Sequence, residues 1–284
     1  MQTYFRSNRT LVKFEGPQAQ KLLNDVITGT VSKNPDTASW WALLSPQGKI
    51  QAEGLIGWFG GAYYLDVPLQ AKDNFLRRMN MFRLRAKADI TDLGDSHRIG
   101  WSAGRPAPKK GVIVHADGRG PHCRQQTGFR LIASTKDTHD WLEDGKKHAL
   151  ERVKKGIMEL GEDFSADSLF PHDIAMDLLG GVDFDKGCYV GQEVVSRMHH
   201  RGAARKRPVL VEFSDEDNEP ARAGEDIMIG DRKIGTMGTT IMGRGIGIAR
   251  LDKVKNPKGA RVAGRQASLV IPPWASYDFA LDSQ

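Results

Sequence analysis

The chemistry-bearing residues of this chain crowd into Asp185-Lys186-Gly187-Cys188-Tyr189-Val190-Gly191-Gln192-Glu193, where an ammonium, a thiol, a phenol, an amide and a carboxylate follow one another closely. A cysteine two residues from a lysine is a candidate low-pKa thiol, because a nearby cation favours the thiolate. In extended backbone Lys186 and Cys188 share a face, and Gly187 between them lets a flat ligand approach the main chain. The competing reading is plain: a lone Cys is most often a small buried hydrophobe. Tyr189 suits ligand stacking or the core, and aromatics more often fill cores. Glu193 suits either a ligand's hydrogen-bonding edge or the first turn of a helix. Arg197, four residues on, is spaced to pair with it along that helix.

From Lys186 to Arg207 six Lys/Arg stand against Glu193, a local balance of +5. That suits phosphate or polyglutamate, and equally a solvated linker. With no interleaved aromatics beyond Tyr189, single-strand nucleic-acid binding is disfavoured. His199 and His200 are adjacent and point apart in regular structure, a weak metal motif, so no metal site is assigned. The two cysteines, Cys123 and Cys188, are expected reduced, and two thiols alone cannot hold a cluster that needs four ligands.

The elements that must position this loop read as follows. Thr10–Phe14 is strand-like, and Gly16-Pro17 opens an amphipathic helix with Ala19, Leu22, Leu23 and Val26 at helical spacing. The apolar run Trp40–Leu44 is a central strand, turning at Pro46-Gln47-Gly48-Lys49 into Ile50–Trp58. Strand 62–67, a helix over 71–81 and strand 86–90 follow. Strands at 99–101, 111–115 and 128–133 precede a helix expected over 137–155. After Arg207-Pro208 come five short glycine-split strands, the pattern of a small barrel or sandwich. At 284 residues, 27% charged and 39% hydrophobic, the chain is an ordinary globular one. No apolar run approaches a membrane span, and the opening shows no signal region, so a cytoplasmic location is the default. A net charge of +6 suits an anionic partner.

The run Lys186–Glu193 closely resembles the signature of the YgfZ family, folate-binding proteins that assist iron–sulfur enzymes and are related to the glycine-cleavage aminomethyltransferase (T-protein, GcvT). The likeness continues through Val194–Arg197 and Arg201-Gly202, upstream through Phe170–Asp173 and Gly181–Phe184, and at Leu44–Ile50. It implies an α+β fold: a GcvT/YgfZ-like cloverleaf of two α+β domains (1–95 and 96–206) plus a C-terminal β-barrel (207–284) around a central folate site. It implies tetrahydrofolate as cofactor, polyglutamylated or carrying a one-carbon unit. Cys188 and Lys186 would be the working residues, with Gly187, Tyr189, Gln192, Glu193, Arg197 and Lys49 around the folate. The partners would be iron–sulfur client enzymes or assembly proteins, with no membrane and no nucleic acid. A folate-dependent aminomethyl or methyl transferase is the alternative. Aminomethyltransferases carry paired aspartates after the hairpin turn; Gly48–Glu53 here offers Ala52 and Glu53 instead, which counts against it. A basic nucleic-acid-binding protein is the third class.

Overall fold

The computed structural model describes residues 1–120, 127–202, 204–214 and 220–280. Cys123 lies outside the described residues. Fifteen strands and four α-helices are assigned among them.

The core begins where the sequence is most apolar. Strand β3 (Thr37–Leu44) buries Trp40 and Trp41 completely and sits centrally in a nine-stranded sheet. On one side it pairs antiparallel with β4 (Ile50–Phe59), then β5 (Ala62–Pro68), β2 (Arg9–Glu15) and β6 (Asp89–Asp92). On the other it pairs in parallel with β8 (Val112–Asp117), through Thr37–Ala116 and Ala38–Asp117. Beyond β8 lie β9 (Phe129–Ser134), β7 (His97–Ser102) and the short β1 (Tyr4–Phe5). One sheet therefore runs through both halves that precede the barrel. Helix α1 (Ala19–Val26) lays Ala19, Leu22, Leu23 and Val26 on that core, and α2 (Lys72–Arg83) adds Phe75 and Met79. The α+β class is as the resemblance implies.

The expected helix over 137–155 is only half formed, as α3 (Lys146–Lys154). Upstream, Leu142 accepts from the Phe5 N–H at 2.7 Å and donates to the Thr3 carbonyl at 3.0 Å, while Trp141 is buried. Backbone pairing to the first strand and burial of an indole outweigh helical propensity there.

The C-terminal region closes as a barrel of β10 (Lys206–Phe213), β13 (Arg244–Arg250), β12 (Arg232–Ile241), β11 (Asp226–Ile229), β14 (Ala260–Val262) and β15 (Arg265–Val270). Closure leaves no open edge, and Val209, Val211, Ile227, Met237 and Val262 fill its separate core. The sixth strand, β14, has three residues and no periodicity long enough to read from sequence.

Candidate functional site

The signature loop is held from two sides. On one side stands the turn at Ile27–Thr30. Thr28 donates through Oγ1 to the Gly181 carbonyl at 2.6 Å, and its own carbonyl accepts from the Asp183 N–H at 2.9 Å. Thr30 Oγ1 donates to Asp183 Oδ2 at 2.9 Å. Asp183 Oδ1 then accepts from the N–H groups of Asp185 and Lys186 at 3.1 and 3.2 Å. This is the local carboxylate turn that aspartate favours, and it bends the chain just where the signature begins.

The bend corrects the expectation that Lys186 and Cys188 share one face. Lys186 is half-buried and turns inward, its Nζ donating to the carbonyls of Ile27 and, at 3.0 Å, Gly29. The same ammonium lies 5.0 Å from the centre of the Tyr189 ring. Burial pushes its pKa down to about 8, against the opposing pull of Asp183 and Asp25. Cys188 is exposed, a free thiol at the loop's outer surface. The lysine anchors; the cysteine is presented.

The second hold is a lock between two motifs far apart in sequence. Helix α4 (Gln192–Arg201) starts from Gly191, whose φ of 80° lies in the left-handed region. A Cβ there would stand 2.8 Å from the Ser45 carbonyl oxygen and 3.0 Å from Leu44 Cβ. Gly48, also at φ 80°, faces Val194, whose Cβ would lie 2.9 Å from an added methyl. The Ser45–Lys49 turn and the signature loop thus meet backbone to backbone, through glycines that no larger residue could replace without movement.

The remaining expected residues do not converge on one slot. Tyr189 is buried in the main core, and burial raises its pKa to about 12. Gln192 opens α4, half-buried. Glu193 and Arg197 bond each other on that helix's exposed face. Gly187 has open space around it. Lys49 donates to the Ser168 carbonyl at 3.0 Å and lies 3.6 Å over the Phe170 ring. Phe184, just before the loop, stacks on His199 at 3.9 Å. Beneath them His172 is 1% exposed with neither ring nitrogen hydrogen-bonded. Among the described residues no group of three or more His, Cys, Asp or Glu is placed to hold a metal ion.

A buried, interlocked charge cluster joins residues far apart in the chain, and no motif announces it. Arg9 pairs with Glu53 at 2.8 Å and Asp66 at 2.5 Å, and Arg130 reaches Asp66 at 3.3 Å. Arg119 holds Asp117 at 2.7 Å and Glu159 at 3.0 Å; Arg6 holds Glu159 at 2.7 Å, and Arg152 holds Asp163. Five guanidinium groups meet five carboxylates, so the cluster is neutral overall. Burial pushes Asp66 and Glu159 up, but their arginines outweigh it and hold both below the usual carboxylate range. Two buried histidines accompany it. Burial takes His115 down to about 3, aided by Arg130, and takes His148 well below its ordinary value, aided by Arg6. These residues come from strands, loops and α3, scattered along the chain without motif or period. The one available signal was several arginines and acids at inward positions of apolar strands.

Comparison with known proteins follows this geometry. The profile described as "CAF17, C-terminal beta-barrel domain" matches residues 205–277. Proteins named "Iron-sulfur cluster assembly factor IBA57 homolog, mitochondrial" from Coccidioides immitis and Mycosarcoma maydis are each 28% identical, over 256 and 242 residues. Each alignment covers 78% of this chain and 59% of the relative, so the chain spans under two thirds of those relatives' length. The crystal structure of the glycine cleavage system aminomethyltransferase T from Bartonella henselae superposes with TM-score 0.71 at 13% identity, over 98% of this chain and 87% of that one. The family profile thus matches the barrel, and the chain as a whole shares the fold of the aminomethyltransferase.

The cytoplasmic default is overturned, because the similar proteins are named as mitochondrial. The ion-pair cluster surrounds a cavity of about 20 Å³. That void is far smaller than the several hundred Å³ of a ligand pocket. A roomier cavity of about 560 Å³ opens between the Gly161–Leu169 segment and the barrel, lined by Phe164, Leu169, Ile234, Lys206 and Lys233 among others. None of the expected folate residues lines it.

Proposed function

We propose that the chain serves iron–sulfur cluster assembly or repair, with Cys188 as its working thiol. The observation that carries this is the presentation of Cys188: an exposed thiol on a loop fixed by Lys186, Asp183 and the Gly48–Gly191 lock. A thiolate is a soft ligand suited to iron in a cluster. One thiol supplies one of the four protein ligands a cluster ordinarily takes. The cluster, as cargo, would therefore be shared with ligands from a client enzyme or assembly protein. The names of the relatives support this reading.

Tetrahydrofolate enters the proposal at the cavity between the Gly161–Leu169 segment and the barrel. Phe164, Leu169 and Ile234 offer a flat apolar ring contact, and Lys206 and Lys233 suit a carboxylate tail. No chemical step is assigned to it. Aminomethyl transfer is not favoured, because Glu53 is completely buried and committed. It accepts from Arg9, from Trp40 Nε1 at 2.8 Å and from the Leu160 N–H at 3.3 Å. The test has two arms. A strain lacking the protein should lose iron–sulfur enzyme activities and regain them with the wild-type chain; unchanged activities would reject the role. Reduced folate at about 100 times its dissociation constant should stabilise the purified chain by about 2.7 kcal/mol; an unmoved melt would remove the folate while leaving the thiol reading intact.

A further inference from the structure

The end of α2 forms a basic, apolar knuckle that neither the signature loop nor the ion-pair cluster uses. Between residues 77 and 87 stand Arg77, Arg78, Arg83, Arg85 and Lys87, with no Asp or Glu. That +5 compares with a net charge of +6 for the whole chain. Arg78 is spent inward, on Gln51, the Leu44 carbonyl and the Phe82 ring. The other four make no ion pair with described residues. Among them Met81 is 66% exposed and Leu84 85% exposed, the latter the most exposed large hydrophobic of the described residues.

Leu84 is also held in an unfavourable backbone conformation, φ 43° and ψ −107°, where a helix more often ends on glycine. A bulky residue in the left-handed region is an outlier, and such strain persists where the surroundings enforce it. Here the Ala86 N–H bonds the Arg83 carbonyl at 2.7 Å, and the Lys87 carbonyl and N–H bond Gln18 at 3.1 and 2.6 Å. The backbone of the knuckle is braced on both sides of Leu84.

We propose that this knuckle docks an acidic protein surface carrying an apolar socket for Leu84 and Met81. Unpaired guanidinium groups around two apolar side chains are complementary to carboxylates ringing a pocket, the arrangement of an interface anchor with a charged rim. A bilayer has no use for a single fixed orientation. Single-stranded nucleic acid would need exposed rings, and Phe82 is covered by Arg78. The docking surface is independent of the thiol reading, since the two use different residues.

The test measures binding to a short glutamate-rich peptide with a central Leu-Phe-Leu. Its comparators are the same peptide with serines at the centre, phosphatidylserine-containing vesicles and a thymidine oligonucleotide. The apolar-centred peptide should bind at least about ten-fold tighter than the serine peptide, and M81S/L84S should erase that difference. R83E/R85E should abolish binding to both peptides. Leu84→Gly should melt no lower than wild type, because glycine relieves the positive φ, yet lose the apolar preference. Equal binding of the two peptides, no binding of the apolar-centred one, a Leu84-dependent preference for vesicles or oligonucleotide, or a lower melt for Leu84→Gly would overturn the proposal.

Discussion

At the scale of single residues, Lys186 and Cys188 divide the labour of one loop. Cys188→Ala removes an exposed thiol, so its melt should stay within about 1 kcal/mol of wild type. An alkylating reagent should label Cys188 under native conditions without prior unfolding, as mass spectrometry would show; protection of Cys188 would contradict its exposure. Lys186→Ala leaves the carbonyls of Ile27 and Gly29 short of a donor and should cost about 1–3 kcal/mol in denaturant unfolding. That both residues share one loop is legible in the sequence, but not that the lysine turns inward. That depends on Asp183 bending the backbone, and on Thr28 and Thr30, whose contacts lie more than a hundred and fifty positions away in the chain.

At the scale of elements, the two glycines of the lock and the free one of the loop should behave oppositely. Gly191→Ala and Gly48→Ala each force a side chain into a positive-φ site against close neighbours, so each should lose about 1–3 kcal/mol and disturb the start of α4. Gly187→Ala meets nothing within 4 Å and should melt as wild type does. Thermal melts of the three variants check the contrast, and equal losses at all three would refute the lock. Strands β3 to β5 and helix α1 were legible because their apolar spacing matches their period. The unformed part of the 137–155 helix was not, because a long-range pairing of Leu142 with β1 decides it.

At the scale of the whole molecule, the buried charge cluster sets the response to pH. His115 and His148 take up protons in the unfolded chain near pH 6.5, yet stay neutral in the fold, His115 down to about 3. The unfolded state therefore binds more protons below about 6.5, and stability falls as pH drops from there. Asp66 and Glu159, depressed by their arginines, add a second loss as pH falls below the ordinary carboxylate range. Acid unfolding should thus begin near pH 6, and His115→Asn should flatten its first part; a melt constant from pH 7 to 5 would contradict this. Truncating one member, as in Glu53→Ala, leaves Arg9 buried with one partner fewer and should cost about 3 kcal/mol. A fold held by a buried, neutral ion-pair cluster presents Cys188, an exposed thiol whose loss spares the structure. The most direct measurement of this is iron–sulfur enzyme activity in a strain lacking the protein and supplied with Cys188→Ala, read beside the melt of the purified variant. The account predicts failed rescue with an unchanged melt; full rescue by Cys188→Ala would contradict it.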